Sequence, residues 1–276
     1  MIQKKKRLFA FCKHIFLIAA MIIALLPLLW MLFASFKPEA DIFAKEFHLL
    51  PREWHFENYR EAWNAAPFGK FFLNTFLAAG ITVLGQILTC TMAAYAFAKV
   101  NFRFKKVLFT LLLAAMLIPE EAAIVPNYLL AQKMHLTNTS LGIALPSLTS
   151  VFAIFLLRQV FMQIPDDLLN AARLDGCGIV RSFFHIALPS SKSSLATVAL
   201  LAFLSSWNSY MWPYMVTDRT SSRTLQIGLK YLIKPDLGPQ WPMIMAASTM
   251  VLIPVLILFL ILQKYFVSGF VKSGLK

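Results

Sequence analysis

The histidines, glycines and cysteines are the residues whose types and spacing bear on chemistry in this chain. The five histidines are dispersed, and none lies in a metal-binding or nucleophile motif. Gly80, Gly85 and Gln86 have the glycine spacing of a phosphate-binding loop, whose chemistry would be nucleotide hydrolysis, but the lysine and hydroxyl residue of that loop are missing. The three cysteines are far apart. We therefore expect no ATP hydrolysis, no metal site and no bound cofactor in this chain, and glycines that allow close helix packing.

A polar segment, 170–176 (NAARLDG), lies between two long apolar runs. Pro165 suits the first position of a helix, Asp166 and Asp167 then lie in its first turn, and Gly176 suits a left-handed end. About 11 residues at a rise of 1.5 Å make a helix of roughly 16 Å, half the length of a membrane span. The sequence predicts a short capped helix here.

Residues 177–189 predict a second helix that stops or bends at Pro189. The two helices form a helix-turn-helix along one membrane face, on which small residues allow another surface to approach closely. One face of the first helix is shared by Leu168, Ala171, Ala172 and Asp175. On the residues alone, an ordinary amphipathic linker at the membrane surface is the alternative.

The elements that position this segment are membrane spans. The chain has 276 residues, of which 59% are hydrophobic and only 14% charged, and its mean hydropathy is +0.67. Five runs contain no Asp, Glu, Lys or Arg, and each exceeds the roughly 20 residues that cross a bilayer as a helix. These runs are 14–36, 71–98, 134–157, 193–217 and 237–263.

A sixth run, 107–132, is interrupted only by Glu120 and Glu121. We interpret it as a span whose outer part is irregular, because Pro119 and Pro126 both interrupt helical hydrogen bonding. A re-entrant hairpin is the alternative.

The basic residues predict the orientation of the six spans. With the N-terminus inside, 16 of the 26 basic residues and three acidic residues lie on the cytoplasmic side, whereas the other side has 10 of each. The net charge of +13 is then entirely cytoplasmic, so it requires no nucleic-acid partner. The first span is too long for a signal-peptide core and is expected to stay uncleaved. The external loop 37–70 is predicted to be a partly helical cap, either a docking surface or a solvated loop.

Residues 170–189 (NAARLDGCGIVRSFFHIALP) resemble the EAA signature of permease subunits from ATP-binding-cassette importers. That signature is E-A-A, three residues, a glycine, nine residues and I-x-L-P. The matching positions are Ala171, Ala172, Gly176, Ile186, Leu188 and Pro189. Asn170 departs from the usual glutamate, keeping a hydrogen-bonding group but losing the charge. The chain is also similar to the carbohydrate-uptake (maltose-type) subclass, whose W-N-x-x-x-W-P feature occurs at Trp207, Asn208, Trp212 and Pro213.

The resemblance implies a fold and a location. The fold is that of an all-α membrane protein with six transmembrane helices, the type I importer permease (MetI-like) fold, with both termini cytoplasmic. Residues 1–276 would form a single permease domain with core helices in about 71–276, placed in a bacterial inner membrane. Residues 163–190, hereafter the coupling segment, would lie on the cytoplasmic side.

The resemblance also implies a function and partners. The chain would be a non-enzymatic permease subunit for a sugar or sugar-like solute. It would form a heterodimer with a second permease, receive solute from an extracytoplasmic binding protein, and be driven by two ATPase subunits that bind ATP and magnesium. The residues expected to couple to the ATPase are Asn170, Ala171, Ala172, Asp175, Gly176, Ile186, Leu188 and Pro189.

Four residues of the fifth span are candidates for the solute pathway. Asn208 lies mid-run, where an amide must face protein or a polar cavity. Trp207, Tyr210 and Trp212 either stack on a sugar or anchor the outer interface as aromatic residues. The alternative functions are an ion-coupled secondary carrier, which would need ionisable groups such as the Glu120–Glu121 pair, and a non-transporting scaffold. No internal repeat is visible, which counts against a carrier.

Overall fold

The computed structural model describes residues 2–234 and 238–273, which are mostly helical. The α-helices are α1 (Ile2–Ala34), α2 (Glu39–Ile42), α3 (Glu57–Asn64), α4 (Phe68–Lys99), α5 (Lys105–Ala114), α6 (Ile124–Lys133), α7 (Ser140–Ala144), α8 (Val151–Met162), α9 (Asp166–Leu174), α10 (Ile179–Ser182), α11 (Leu188–Ser190), α12 (Lys192–Asn208), α13 (Met211–Val216), α14 (Leu225–Gly228) and α15 (Trp241–Ser273). Short 3-10 segments occupy Ala115–Leu117, Glu120–Ala123, Leu145–Ser147, Thr220–Ser222 and Leu229–Leu232, and a π-helical turn occupies Phe183–Ala187. A small antiparallel hairpin pairs β1 (Ile233–Lys234) with β2 (Gly238–Pro239).

The chain divides into two compact units. The first contains Met1–Ala66 and Leu229–Ile253, and the second contains Pro67–Gly228 and Pro254–Lys276. The core helices α4 to α14 all belong to the second unit, which also contains the whole coupling segment.

In the first unit, the loop that follows α1 is ordered by its own side chains. The Phe36 ring lies 5.0 Å from the Tyr59 ring, and Tyr59 and Ser35 hydroxyls are 2.7 Å apart. The Asn58 amide donates to the carbonyls of Ser35 and Lys37, and the buried Lys37 ammonium donates to the His48 carbonyl. The predicted partly helical loop is confirmed by α2 and α3.

Three helices are long and apolar enough to cross a membrane without interruption. They are Phe11–Ala34, Phe68–Lys99 and Trp241–Lys264, with mean hydropathies of 2.8, 1.7 and 2.7. Three further pairs of helices pass the same test but are bent. If each bent pair is one span, the described residues form up to six spans, as predicted.

Two of the charge-free runs, 134–157 and 193–217, are not single helices, which corrects the expectation from the sequence. The pair Ser140–Ser147 and Val151–Met162 bends by 56°. Ser150 has an extended backbone there and caps α8 by accepting a hydrogen bond from the Ala153 amide. The run 193–217 is broken after Asn208, because Pro213 is incompatible with a continuous helix and lies in the first turn of α13 instead.

The run 107–132 bends by 94° between Lys105–Leu117 and Glu120–Lys133, which confirms the irregularity. Pro119 has an extended backbone at this break. Pro126, predicted to be a second breaker, lies in the first turn of α6, where proline is tolerated because its missing N–H would have no helical partner. A broken span and a re-entrant hairpin both fit this geometry.

Helix α4 is the centre of the second unit and packs against α7, α8 and α12. Its buried side chains join those of α8 and of the π-helical turn in one apolar cluster. The largest members of that cluster are Tyr95, Leu157, Phe161 and Phe183. The coupling segment thus follows α8 directly, and its π-helical turn packs in the same apolar cluster as α4 and α8.

Candidate coupling site and membrane pathway

Helix α9 is the predicted short helix. It has nine residues, slightly fewer than the estimate, with Asp166 and Asp167 in its first turn. Pro165 precedes the helix as its N-cap residue, so its predicted place at the first helical position is wrong by one residue. Gly176 has a φ of +79°, the left-handed conformation predicted for the end of the helix.

The second helix begins with α10 after Gly178, passes through the π-helical turn and ends with α11 at Ser190. The chain then bends by 82° into α12. This confirms the helix-turn-helix and the stop close to Pro189. The bend separates the coupling segment from the fifth span while keeping them directly connected.

A lysine at the end of α4 holds the beginning of α9 in place. Lys99 Nζ donates to the Ile164 carbonyl oxygen at 2.6 Å and to Asp166 Oδ1 at 2.7 Å. The Lys99 side chain is only 7% exposed, whereas the Asp166 side chain is 79% exposed. The hydrogen bond and positive charge of Lys99 lower the pKa of the Asp166 carboxyl below its ordinary value.

Two further basic side chains cap the same end of α4. Arg158 Nε donates to the Phe97 carbonyl oxygen at 3.2 Å, and Lys105 Nζ donates to the Ala98 carbonyl oxygen at 3.3 Å. These carbonyls belong to the last turn of α4, where helical partners run out and cations are favoured. Sequence reasoning gave these basic residues only the role of fixing orientation. The signal available in the sequence was that both residues lie close to the end of a charge-free run, where a cation can reach the last carbonyls of a helix.

The end of α9 and the beginning of α10 present apolar side chains outward. Leu174 is 90% exposed, Val180 69% and Ile179 52%, whereas Leu169 on the opposite side is buried. We call Leu174, Ile179 and Val180 the apolar tip. Large apolar side chains this exposed, outside the spans, indicate a surface that a partner covers.

The predicted small-residue face is open. Ala171, Asp175 and Gly176 are exposed and Ala172 is half-buried. A Cβ atom added at Gly176 would meet no atom of the chain within 4 Å. Asn170 is also exposed, and its Oδ1 accepts a long hydrogen bond of 3.4 Å from Arg173 Nη1.

The I-x-L-P part of the motif is less exposed than the small-residue face of α9. Ile186 and Leu188 are half-buried along the second helix, and Pro189 is exposed. The Ser190 hydroxyl donates to the Ile186 carbonyl oxygen at 2.6 Å, within the turn that Pro189 interrupts. The structure therefore gives Ile186 and Leu188 packing positions and leaves the α9 face and the apolar tip outward.

Trp207 does not line an open pathway. It is 1% exposed, and its ring stacks on Phe203 at 5.1 Å and meets the edge of Phe76 at 4.9 Å. In this structure it is a packing residue, and its contact with solute stays a prediction. Asn208, predicted to lie mid-span, is instead the last residue of α12, exposed, with its amide donating to the Leu204 carbonyl oxygen at 2.9 Å.

The other two aromatic candidates also have structural partners. Trp212 Nε1 donates to the carbonyl oxygens of Gly142 and Ile143, at 3.2 Å and 3.0 Å, which joins α13 to α7. Tyr210 stacks on Tyr214 with ring centroids 5.7 Å apart. Trp212 thus has a packing role, although it and Tyr210 are both half-buried and keep some accessible surface, and Asn208 is exposed.

The glycines of the phosphate-loop-like spacing differ from each other. A Cβ at Gly85 would lie 2.6 Å from Leu148 Cδ2 and 3.3 Å from Leu148 Cα, so close helix packing is confirmed there. At Gly80 an added Cβ would meet nothing within 4 Å, so the packing interpretation is wrong for that residue.

A polar stripe on α4 holds the break in the fourth span. Gln86 Nε2 donates to the Ser147 carbonyl oxygen at 2.9 Å, and Thr89 Oγ1 donates to the Leu148 carbonyl oxygen at 2.8 Å. These bonds satisfy carbonyls that the 56° bend removes from helical hydrogen bonding, as a membrane interior requires. Sequence reasoning missed this stripe, although polar residues three apart on an apolar helix were visible.

Comparison with known proteins agrees with this geometry. Residues 85–272 match the family described as "Binding-protein-dependent transport system inner membrane component". The chain is 34% identical to the sn-glycerol-3-phosphate transport system permease protein UgpE of Yersinia pestis, over 99% of each chain. It is 32% identical to the arabinooligosaccharides transport system permease protein AraQ of Bacillus subtilis, over 95% of this chain and 94% of the relative.

A solved structure supports the fold. The chain resembles a chain from the crystal structure of a bacterial ABC transporter involved in the import of the acidic polysaccharide alginate. The TM-score is 0.82 and the identity 25%, over 95% of this chain and 98% of that one. The predicted importer permease fold is confirmed, and nothing supports the ion-coupled carrier. The chain belongs to the family of binding-protein-dependent transport system inner membrane components.

Proposed function

We propose that this chain forms, with a second permease, the membrane pathway for a sugar or sugar-like solute in an ATP-binding-cassette importer. The named relatives serve sn-glycerol 3-phosphate and arabinooligosaccharides, and the structural neighbour serves alginate. All three solutes carry more than one hydroxyl group. A polyhydroxy solute is therefore the class that these likenesses support.

The apolar tip is the observation that carries the coupling role. Leu174 extends from a short, capped helix that Lys99 anchors to the end of a span. A rigid base and an exposed apolar end suit a part that a partner protein grips and moves. The proposed partner is an ATPase subunit, one on this chain and one on the second permease.

The same features indicate which subunit of the importer has which role. ATP and magnesium bind to the ATPase subunits, and this chain neither holds a cofactor nor catalyses a reaction. An extracytoplasmic binding protein delivers the solute. The coupling segment and both termini lie in the cytoplasm, which agrees with the excess of basic residues there and with the capping of α4 by Arg158 and Lys105 next to α9.

Replacement of the most exposed apolar residue tests this proposal. Leu174→Asp should leave the fold intact, because Leu174 is 90% exposed, but should prevent docking by placing a charge in an apolar contact. The measurement is co-purification of the ATPase subunit with the complex, together with ATP-dependent uptake in proteoliposomes.

Leu174→Met is the matched control, since it keeps an apolar side chain of similar volume. We expect the methionine variant to retain the ATPase and the aspartate variant to lose at least about tenfold of it, equivalent to ~1.4 kcal/mol. Equal retention of the ATPase by the two variants would reject the docking role of the apolar tip.

A further inference from the structure

A cavity of about 200 Å³ lies within the second unit, next to the break in the fourth span. Its walls come from α4, from the beginning of α8 and from α12. Three polar residues line it, namely Gln86, Ser150 and Ser205. The rest of the lining is apolar and consists of Phe152, Ala153, Val198, Leu201 and Ala202.

The position of Gln86 places this cavity deep in the membrane. Gln86 is near the middle of the 32-residue α4. At a rise of 1.5 Å per residue it lies about 27 Å from the beginning of the helix and about 20 Å from its end, which places it close to the bilayer centre. Polar side chains at this depth face protein or water rather than lipid. The Gln86 amide and the hydroxyls of Ser150 and the exposed Ser205 therefore offer polar contacts in a cavity that is otherwise apolar.

Gln86 retains an unused hydrogen-bonding atom. Its Nε2 is engaged by the Ser147 carbonyl oxygen, whereas its Oε1 accepts no hydrogen bond from any residue that the structure describes. The side chain is 7% exposed and belongs to the cavity wall. A hydroxyl group that enters the cavity can therefore donate a hydrogen bond to Gln86 Oε1.

The break in the fourth span keeps the cavity open. Cys90 Sγ accepts from the Ser150 amide at 3.3 Å, and Thr89 holds the Leu148 carbonyl, so α4 fixes both sides of the bend. The bend turns the first residues of α8 towards the cavity, where Ser150 and Ala153 line it. Interrupted helices of this kind line solute sites in other transporters.

The lack of charged residues in the surrounding spans determines which chemical groups the cavity can hold. The runs 71–98, 134–157 and 193–217, which provide the walls, contain no Asp, Glu, Lys or Arg. A phosphate or carboxylate would find no counter-charge there, and its desolvation would be unfavourable. Uncharged hydroxyl groups match the amide and the two hydroxyls. The volume of about 200 Å³ equals that of roughly seven waters at ~30 Å³ each, enough for one sugar ring.

We propose that this cavity is a subsite for the uncharged hydroxyl groups of the solute, contacted by Gln86, Ser150 and Ser205. The proposal rests on the proposed importer function and adds a chemical preference to it. Any anionic group of the solute is held elsewhere in the transporter. Ser205 is a residue of the fifth span that lines this cavity, whereas Trp207 is buried among aromatic rings.

Thiol protection in the assembled complex tests the proposal. Ser205→Cys is introduced with Cys12 and Cys177 replaced by serine, and buried Cys90 is kept. A small hydrophilic thiol reagent is applied to the complex with and without arabinotriose, maltose, raffinose or sn-glycerol 3-phosphate. Ser206→Cys is the matched control, because Ser206 is adjacent on α12 but does not line the cavity.

We expect the reagent to label Ser205→Cys and at least one neutral sugar to slow that labelling by about tenfold at ten times its Kd. Labelling of Ser206→Cys should not respond to the sugars. The subsite is rejected if Ser205→Cys is not labelled, if no neutral sugar protects it, or if sn-glycerol 3-phosphate protects it equally well.

Uptake by the same complex separates the two proposals. Absence of ATP-driven uptake would reject the importer function, whereas the pattern of thiol protection alone decides the subsite. Ser205→Leu adds a direct test, because filling the cavity should lower sugar uptake by about tenfold, the equivalent of ~1.4 kcal/mol. Full uptake by this variant would also reject the subsite.

Discussion

Lys99 Nζ, at the last residue of α4, lies 2.7 Å from the carboxylate of Asp166, the first residue of α9. Lys99 also donates to the Ile164 carbonyl oxygen, so one buried ammonium group joins a membrane span to the beginning of the coupling segment. We expect a displacement of α9 to pull on the end of α4 through these two bonds. This link offers a route by which docking at the apolar tip can move the helical core.

Removal of the lysine should loosen the coupling segment. Lys99→Met loses a charged hydrogen bond to a carbonyl, an interaction of about 1.5–3 kcal/mol. We expect amide hydrogen exchange in α9 to accelerate by about tenfold or more, since ~1.4 kcal/mol corresponds to a factor of ten. Lys106→Met, at an exposed lysine nearby, is the control and should leave α9 exchange unchanged.

The same pair predicts a pH dependence. Because Lys99 lowers the pKa of Asp166, the attraction contributes to stability above the ordinary value of 3.8 and is lost as the pH falls through the lowered pKa. A carboxyl carbon titration followed by nuclear magnetic resonance should place the Asp166 midpoint below 3.8. Lys99→Met should move that midpoint upward, and an unchanged midpoint would contradict the assigned cause.

Substitutions at Gly176 separate backbone strain from docking. Asparagine tolerates the left-handed φ of +79° better than alanine does but is larger. If the open surface at Gly176 receives the ATPase, Gly176→Asn should retain less ATPase than Gly176→Ala. The opposite order would show that strain at the end of α9 is the deciding factor. The measurement is ATPase co-purification, with α9 hydrogen exchange as the folding control.

Two glycines of α4 provide a matched pair for helix packing. Gly85→Ala forces Leu148 to shift, with an expected cost of about 1–3 kcal/mol. Gly80→Ala meets no neighbouring atom within 4 Å and should be neutral or stabilising by up to ~1 kcal/mol. Thermal unfolding in detergent compares the two variants. Equal unfolding temperatures would contradict the close approach at Gly85.

Trp207 should affect stability rather than solute recognition. Trp207→Ala removes a ring packed against Phe203 and Phe76, at an expected cost of about 3–5 kcal/mol. Trp207→Phe preserves most of this packing and should support uptake with an unchanged KM. A raised KM in the phenylalanine variant would return Trp207 to the solute pathway.

Parts of the coupling segment were predictable because they depend on local chemistry. Acidic residues in the first turn and a glycine with positive φ mark a short helix wherever it lies in a fold. The roles of Asn208 and Trp207 were not predictable, because both depend on where α12 ends and on which helix its faces meet. A run free of charged residues indicates how long a span is, but it does not show where the helix within that span is interrupted.

We could predict the membrane class, the approximate number of spans and the short helix between the fourth and fifth spans from the residues alone. Apolar run length, charge and helix-end residues act over a few neighbouring positions, so they are visible without a fold. The folded chain was needed to show that Lys99 holds Asp166, that α4 satisfies the carbonyls of a broken span, and that Gln86 and Ser205 line one cavity. Each of these joins residues far apart in the chain, and their pairing depends on how the helices pack.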